Sequence, residues 1–201
     1  MSTSQTAVAT ASPTLSSLLE LQGVTQPMLE RHLDGLEAKT RVEEIRALSG
    51  KLQKKLWEVC AGAPAFTVDD LVPPSTPEGQ TVIYAGKNSL GAFTVFEKRF
   101  ARSRGKVIGY NHQTMSFVTG PGFFTCKPSP TEPRELLFDY TDVPTEAPAE
   151  WPRPRSNARG LSYFVYRDLH DFNRRVSKDV IIGFATRLGK PIDSYFVLAR
   201  A

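Results

Sequence analysis

Apolar positions recur every three or four residues between Val42 and Val59. Val42, Ile45, Leu48, Leu52, Leu56 and Val59 form one stripe, which is the period of an amphipathic helix. Upstream, Thr25 followed by Pro27 starts a helix through Met28, Leu29 and Leu33 toward Leu36, because a cap hydroxyl and a first-turn proline suit the orphan N–H groups there. Thr40 and Glu43 have capping-box spacing, Ser49-Gly50 marks a break, and Gly62 a stop. Residues 14–62 therefore read as a helical subdomain. Lys51, Lys54 and Lys55 on its last helix would suit a helix-turn-helix, but so small a basic face fits a solvated helix pair better. Residues 63–80 hold four prolines and read as a linker.

Beyond residue 80 the pattern shortens. Short apolar runs mark strands at Thr81–Ala85, Val107–Asn111, Gly122–Lys127, Leu136–Thr141, Leu161–Leu169, Val180–Leu188 and Ser194–Arg200. Asn88–Ser103 stands apart. Leu90, Phe93, Phe96 and Phe100 are spaced by three, three and four while alternation is poor, which predicts a helix. The expected architecture is α+β: an N-terminal helical segment, then a mainly antiparallel β-sheet of about 5–6 strands packed on one central helix, 88–103. Phe93, Phe96 and Phe100 would bury against that sheet with Ile181, Phe184, Phe196 and Leu198.

Residues 142–160 lack either period and contain Pro144, Pro148, Pro152 and Pro154. Charge along this loop changes from acidic to basic at Trp151. A loop of this length inside an α+β domain spanning 81–201 points to a lid or a partner-binding element. Trp151, Arg153 and Arg155 are its candidate contact residues, with Trp151 either docking the loop on its own domain or entering a partner's pocket.

Composition narrows the class. Of 201 residues, 40% are hydrophobic and 23% charged, with 12 Phe, 6 Tyr and 2 Trp, so a globular core is expected. No apolar run reaches the roughly 18 residues of a membrane span. Residues 1–13 carry neither Lys nor Arg and read as a disordered tail, not a leader. Two cysteines make no disulfide framework, which indicates a cytoplasmic, reducing setting. The net charge of +4 is modest. Its basic residues fall in separate clusters (98–106, 153–159 and 174–178), so weak nucleic-acid binding ranks behind other functions.

Candidate chemistry is local. Tyr110, Asn111, His112 and Gln113 stand together before the Gly120-Pro121-Gly122 turn. Four hydrogen-bonding side chains in a row need partners or a site. Lys87, Asn88 and Ser89, after a β run and at the expected helix start, could seat an anion, although a Walker A loop is excluded by spacing. Lys98, Arg99, Arg102, Arg104 and Lys106 read as the solvated face of the helix 88–103. Asp168, His170 and Asp171 offer a carboxylate-oriented imidazole, with local ion pairing between two strands as the plainer reading. No metal or cofactor signature is present. These features point to a binding or regulatory module for a small apolar or anionic ligand, or a protein partner. An enzyme using His112 or His170 as general acid/base is the rival.

Overall fold

A computed structural model of the chain describes residues 12–91, 94–112 and 120–201. Its central feature is a closed barrel of eight antiparallel strands, each paired with its sequence neighbours and β8 with β1. The strands are β1 Val82–Asn88, β2 Val95–Ser103, β3 Lys106–His112, β4 Phe123–Pro128, β5 Leu136–Asp139, β6 Leu169–Arg175, β7 Val180–Arg187 and β8 Lys190–Arg200. This overturns the expected sheet of five or six strands on a central helix. Residues 95–103 are strand β2, and Lys87 and Asn88 end β1 instead of opening a helix. Phe93 lies outside the described residues.

The physical reason is one side chain. Along β2, Phe96, Lys98 and Phe100 alternate into the barrel, and all three are buried. With a lysine at an inward position, the apolar alternation of a strand was broken, and the remaining spacing imitated a helix. A charge had the same effect on β6. Its inward Asp171 and Asn173 disguised a strand as a polar connection. Leu161–Leu169, expected to be a strand, instead contains a one-turn helix over Ser162–Tyr166.

Among the described residues six α-helices pack around the barrel: α1 Leu15–Glu20, α2 Gln26–Asp34, α3 Ala38–Ala47, α4 Gly50–Val59, α5 Val68–Leu71 and α6 Ser162–Tyr166. The Ser49 hydroxyl caps α4 by accepting from Leu52 N–H. α3 begins earlier than the Thr40 capping box, at Ala38. Helices α1–α4 bury Leu19, Leu33, Ile45 and Leu56 against Val180, Ile182 and Val197 on the outer face of β7 and β8.

Inside, Tyr84, Phe100, Phe124, Phe138 and Phe196 fill the barrel, as an eight-stranded barrel interior is just wide enough for side chains or one small ligand. Gly183 makes room for this packing, since a Cβ there would lie 2.0 Å from the Phe196 ring.

The two ends differ. At the lower end α5 closes the barrel, with Leu71 and Val72 in its core. It is pinned by Tyr84, whose hydroxyl donates to the Leu71 carbonyl, and by Arg102, which donates to the Val72 carbonyl. At the upper end, where β3, β5 and β7 finish, the roof is α6. Its Tyr166 reaches into the barrel and stacks on Tyr140 at 5.5 Å, with the rings 2° from parallel.

Candidate functional site

A buried polar cluster lies in the upper half of the barrel, beneath Tyr166. Strand β2 supplies Lys98, β3 Asn111, the end of β5 Tyr140, and β6 Asp171. Lys98 is 2% exposed and Asp171 3%. The Lys98 ammonium donates to Asn111 Oδ1 at 2.8 Å, to the Tyr140 hydroxyl at 2.5 Å and to Asp171 Oδ2 at 3.2 Å. Its three N–H groups thus have three acceptors. Tyr140 in turn donates to Asp171 and accepts from Asn111 Nδ2. The rings of Phe124 and Phe196 each have their centroid 4.9 Å from the Lys98 nitrogen, close enough for cation–π attraction.

Burial dominates the electrostatics. It lowers the Lys98 pKa, against the opposing pull of Asp171. The same burial raises Asp171, with Lys98 and the Tyr140 hydrogen bond pulling back. Tyr140 is raised well above the ordinary phenol range by burial and by the Asp171 charge, so it remains a donor. Removing both charges from water costs several kcal/mol per ion before their attraction is counted. Such a group is expensive to keep in a core that could have been filled with apolar side chains.

Beside the start of α6 lies an open basin of about 760 Å³. The Gly120-Pro121 turn, the segment Pro152–Ser156 and the approach to α6 at Arg159–Ser162 line it. Arg153, Arg155 and Arg159 all contribute, and among the described residues none of them forms an ion pair. Gly160 and Asp168, on either side of α6, both have positive φ (57° and 53°). The roof is therefore one helical turn between two tight bends. Gly122, at φ 57°, lies under the Tyr166 ring, where a Cβ would approach to 2.5 Å.

The residues singled out from sequence are scattered by the barrel. Within the 110–113 run, strand alternation sends Asn111 into the cluster and Tyr110 to the outer face. His112 is exposed and meets Tyr110 edge-on at 6.1 Å, while Gln113 lies outside the described residues. Lys87 donates to the Arg46 carbonyl at 2.6 Å, Asn88 Oδ1 accepts from Leu90 N–H, and Ser89 Oγ accepts from Tyr195 N–H.

His170 pairs with Asp139 of the neighbouring strand at 3.3 Å, outside the barrel, and not with Asp168 or Asp171. Burial alone would raise Asp139, but hydrogen bonds from Lys127 and Thr141 outweigh it and hold the carboxyl at about 2. Trp151 is buried against the outer face of the barrel. It packs on Tyr110 at 4.8 Å, and its Nε1 donates to Thr81 Oγ1 at 2.7 Å. Asn157 fastens the same loop by donating to the Phe123 and Tyr140 carbonyls. Arg153 and Arg155 remain exposed on the basin.

Lys98, Tyr140 and Tyr166 were missed from sequence. Lys98 is buried, not on the solvated face that its basic neighbours predict. The available signal was Phe96-x-Lys98-x-Phe100, an alternation with one polar member. No group of three or more His, Cys, Asp or Glu among the described residues could hold a metal ion. No family model, curated protein or solved structure matches the chain significantly.

Proposed function

We propose that this protein binds a small planar anion in the upper half of its barrel, with α6 as the roof that yields. The observation that carries this reading is the Lys98 cluster standing beneath the Tyr166 ring. Tyr166 lies parallel on Tyr140, the position a planar ligand would take after displacing it. The ring would then stack on Tyr140, and the anionic head would meet Lys98 among the rings of Phe124 and Phe196. Ligand sites commonly combine an apolar lining with a few convergent polar groups. The basin arginines, outside the roof, raise the local concentration of anions.

Protonation follows from the same geometry. An anion that takes over Lys98 leaves Asp171, already raised by burial, without its cation. That carboxyl then takes up a proton on binding. Affinity is therefore expected to fall as pH rises.

The test is calorimetric titration with 4-hydroxybenzoate. Wild-type protein should bind it, Tyr166→Ala should bind it at least tenfold more tightly, and Lys98→Met/Asp171→Asn in the Tyr166→Ala background should not bind. The tenfold gain corresponds to about 1.4 kcal/mol. Absence of binding to both wild type and Tyr166→Ala, or binding indifferent to the Lys98 change, would defeat the proposal. Loss of the folded state would show in the melting curve, and Asn111→Ala then serves as the second probe of the cluster.

A further inference from the structure

The upper end of the barrel carries a second feature that the ligand reading does not use. Of the nine large hydrophobic side chains exposed among the described residues, seven lie on α6 or on the turns and strand ends of this one end. Phe164 is 71% exposed and Leu188 70%. They belong to two projections that are tied together. The Arg187 guanidinium donates to the Val165 carbonyl at 2.7 Å, and Leu188 N–H donates to the Asp168 carbonyl at 3.1 Å. Leu161 and Tyr163 stand on the same helical turn as Phe164 and are also exposed.

Charge surrounds this apolar tip asymmetrically. Arg153, Arg155 and Arg159 line the adjoining basin without an ion pair among the described residues. Arg167 lies over the Tyr163 ring at 4.4 Å, and Lys190 is exposed beside Leu188. Facing them, Asp168 is bound to Arg167 at 2.9 Å and Asp193 to Lys54 at 3.2 Å. The uncompensated charge at this end is positive.

We infer that the upper end of the barrel docks on an anionic lipid surface. Protruding Phe and Leu side chains enter the acyl boundary, while a Tyr and a ring of guanidinium groups suit head-group depth. Guanidinium groups bind phosphate in bidentate fashion, and basic side chains near an anionic leaflet each strengthen attachment. Charge and exposure favour this occupant over others. The apolar side chains stand beside uncompensated positive charge, and Phe164 and Leu188 are mostly in solvent, whereas a protein hot spot is usually a filled pocket. Two of the projecting residues, Leu161 and Leu188, are aliphatic and offer no plane for stacking nucleic-acid bases. No helix of the described residues is long and apolar enough to cross a membrane, so attachment would be peripheral. The inference is independent of whether a ligand enters the barrel.

The test is co-sedimentation of the full chain with vesicles of phosphatidylcholine alone or mixed with phosphatidylserine, at about 0.15 M salt. Binding is expected to the mixed vesicles and to weaken with added salt. The combined change Leu161→Ser, Phe164→Ser and Leu188→Ser should reduce it at least tenfold, as should Arg153→Glu with Arg159→Glu. All five positions are exposed, so the melting curve should not move. In a separate Phe164→Trp protein, emission should shift to the blue on the mixed vesicles. Failure of wild type to sediment with them, sedimentation unaffected by the serine changes, or an unshifted tryptophan would overturn the inference. So would binding to a nucleic acid or to a second copy of the chain with none to lipid.

Discussion

Lys98 determines more of this protein's character than any other single residue. Its ammonium is surrounded by aromatic rings, yet each N–H has an acceptor, so the cost of burial is offset by three hydrogen bonds and one counter-charge. The pair should behave as a unit. Lys98→Met is expected to destabilise by about 3–5 kcal/mol, because Asp171 is left buried without its cation. Lys98→Met with Asp171→Leu should recover most of that loss, since an apolar pair of similar volume carries no desolvation cost. Denaturant melts of the two single variants, the double variant and wild type form a double-mutant cycle. Additive losses would mean the two side chains do not depend on each other.

Among the elements, legibility depended on which faces were buried. The stripe from Val42 to Val59 packs one side only, and helices formed there with the break at Ser49-Gly50 where the chain indicated it. Strands β1, β3, β4, β5, β7 and β8 were legible because their inward positions are mostly apolar, Asn111 near the end of β3 being an exception. The strands β2 and β6, which carry Lys98 and Asp171, were not. Their inward charges satisfy each other across the barrel, and no pattern within either segment reveals a partner 73 positions away.

The paired strands β7 and β8 give an element-scale expectation. Gly183 on β7 lies against the Phe196 ring of β8, where a Cβ would meet it at 2.0 Å. Gly183→Ala should therefore destabilise by about 1–3 kcal/mol through overpacking. Phe196→Leu, introduced into that variant, should return part of the loss. Thermal melts check both. An alanine variant as stable as wild type would show that the ring moves aside freely.

At the scale of the whole molecule, the barrel and its helices bury both cysteines. Cys126 faces the interior, where burial raises its thiol well above the ordinary range. Cys60 packs between α4 and the barrel, and burial pushes its thiol up to about 12. A thiol held protonated and inaccessible does not react. Alkylation by iodoacetamide in native buffer is therefore expected to label neither residue, with both labelled once denaturant unfolds the chain. Labelling of Cys126 alone in the native protein would show that the barrel opens without global unfolding.

Local patterning determined the helices of residues 14–62, six of the eight strands, the Pro-rich excursion and the abundance of aromatic core material. Those features follow from spacings of two, three or four, and from residues whose backbone preferences act at short range. Closure of the sheet, the site beneath its roof and the apolar upper tip were decided by tertiary structure alone. Closing a barrel requires β8 to find β1, a pairing between segments about a hundred residues apart that leaves no local periodicity. Asn111 and Tyr110 are neighbours in sequence, but strand alternation assigns one to the interior and the other to the outer face under Trp151. Lys98 could be identified as a buried ammonium only when four strands had brought its acceptors within reach, because what allows a charge to be buried is its set of partners.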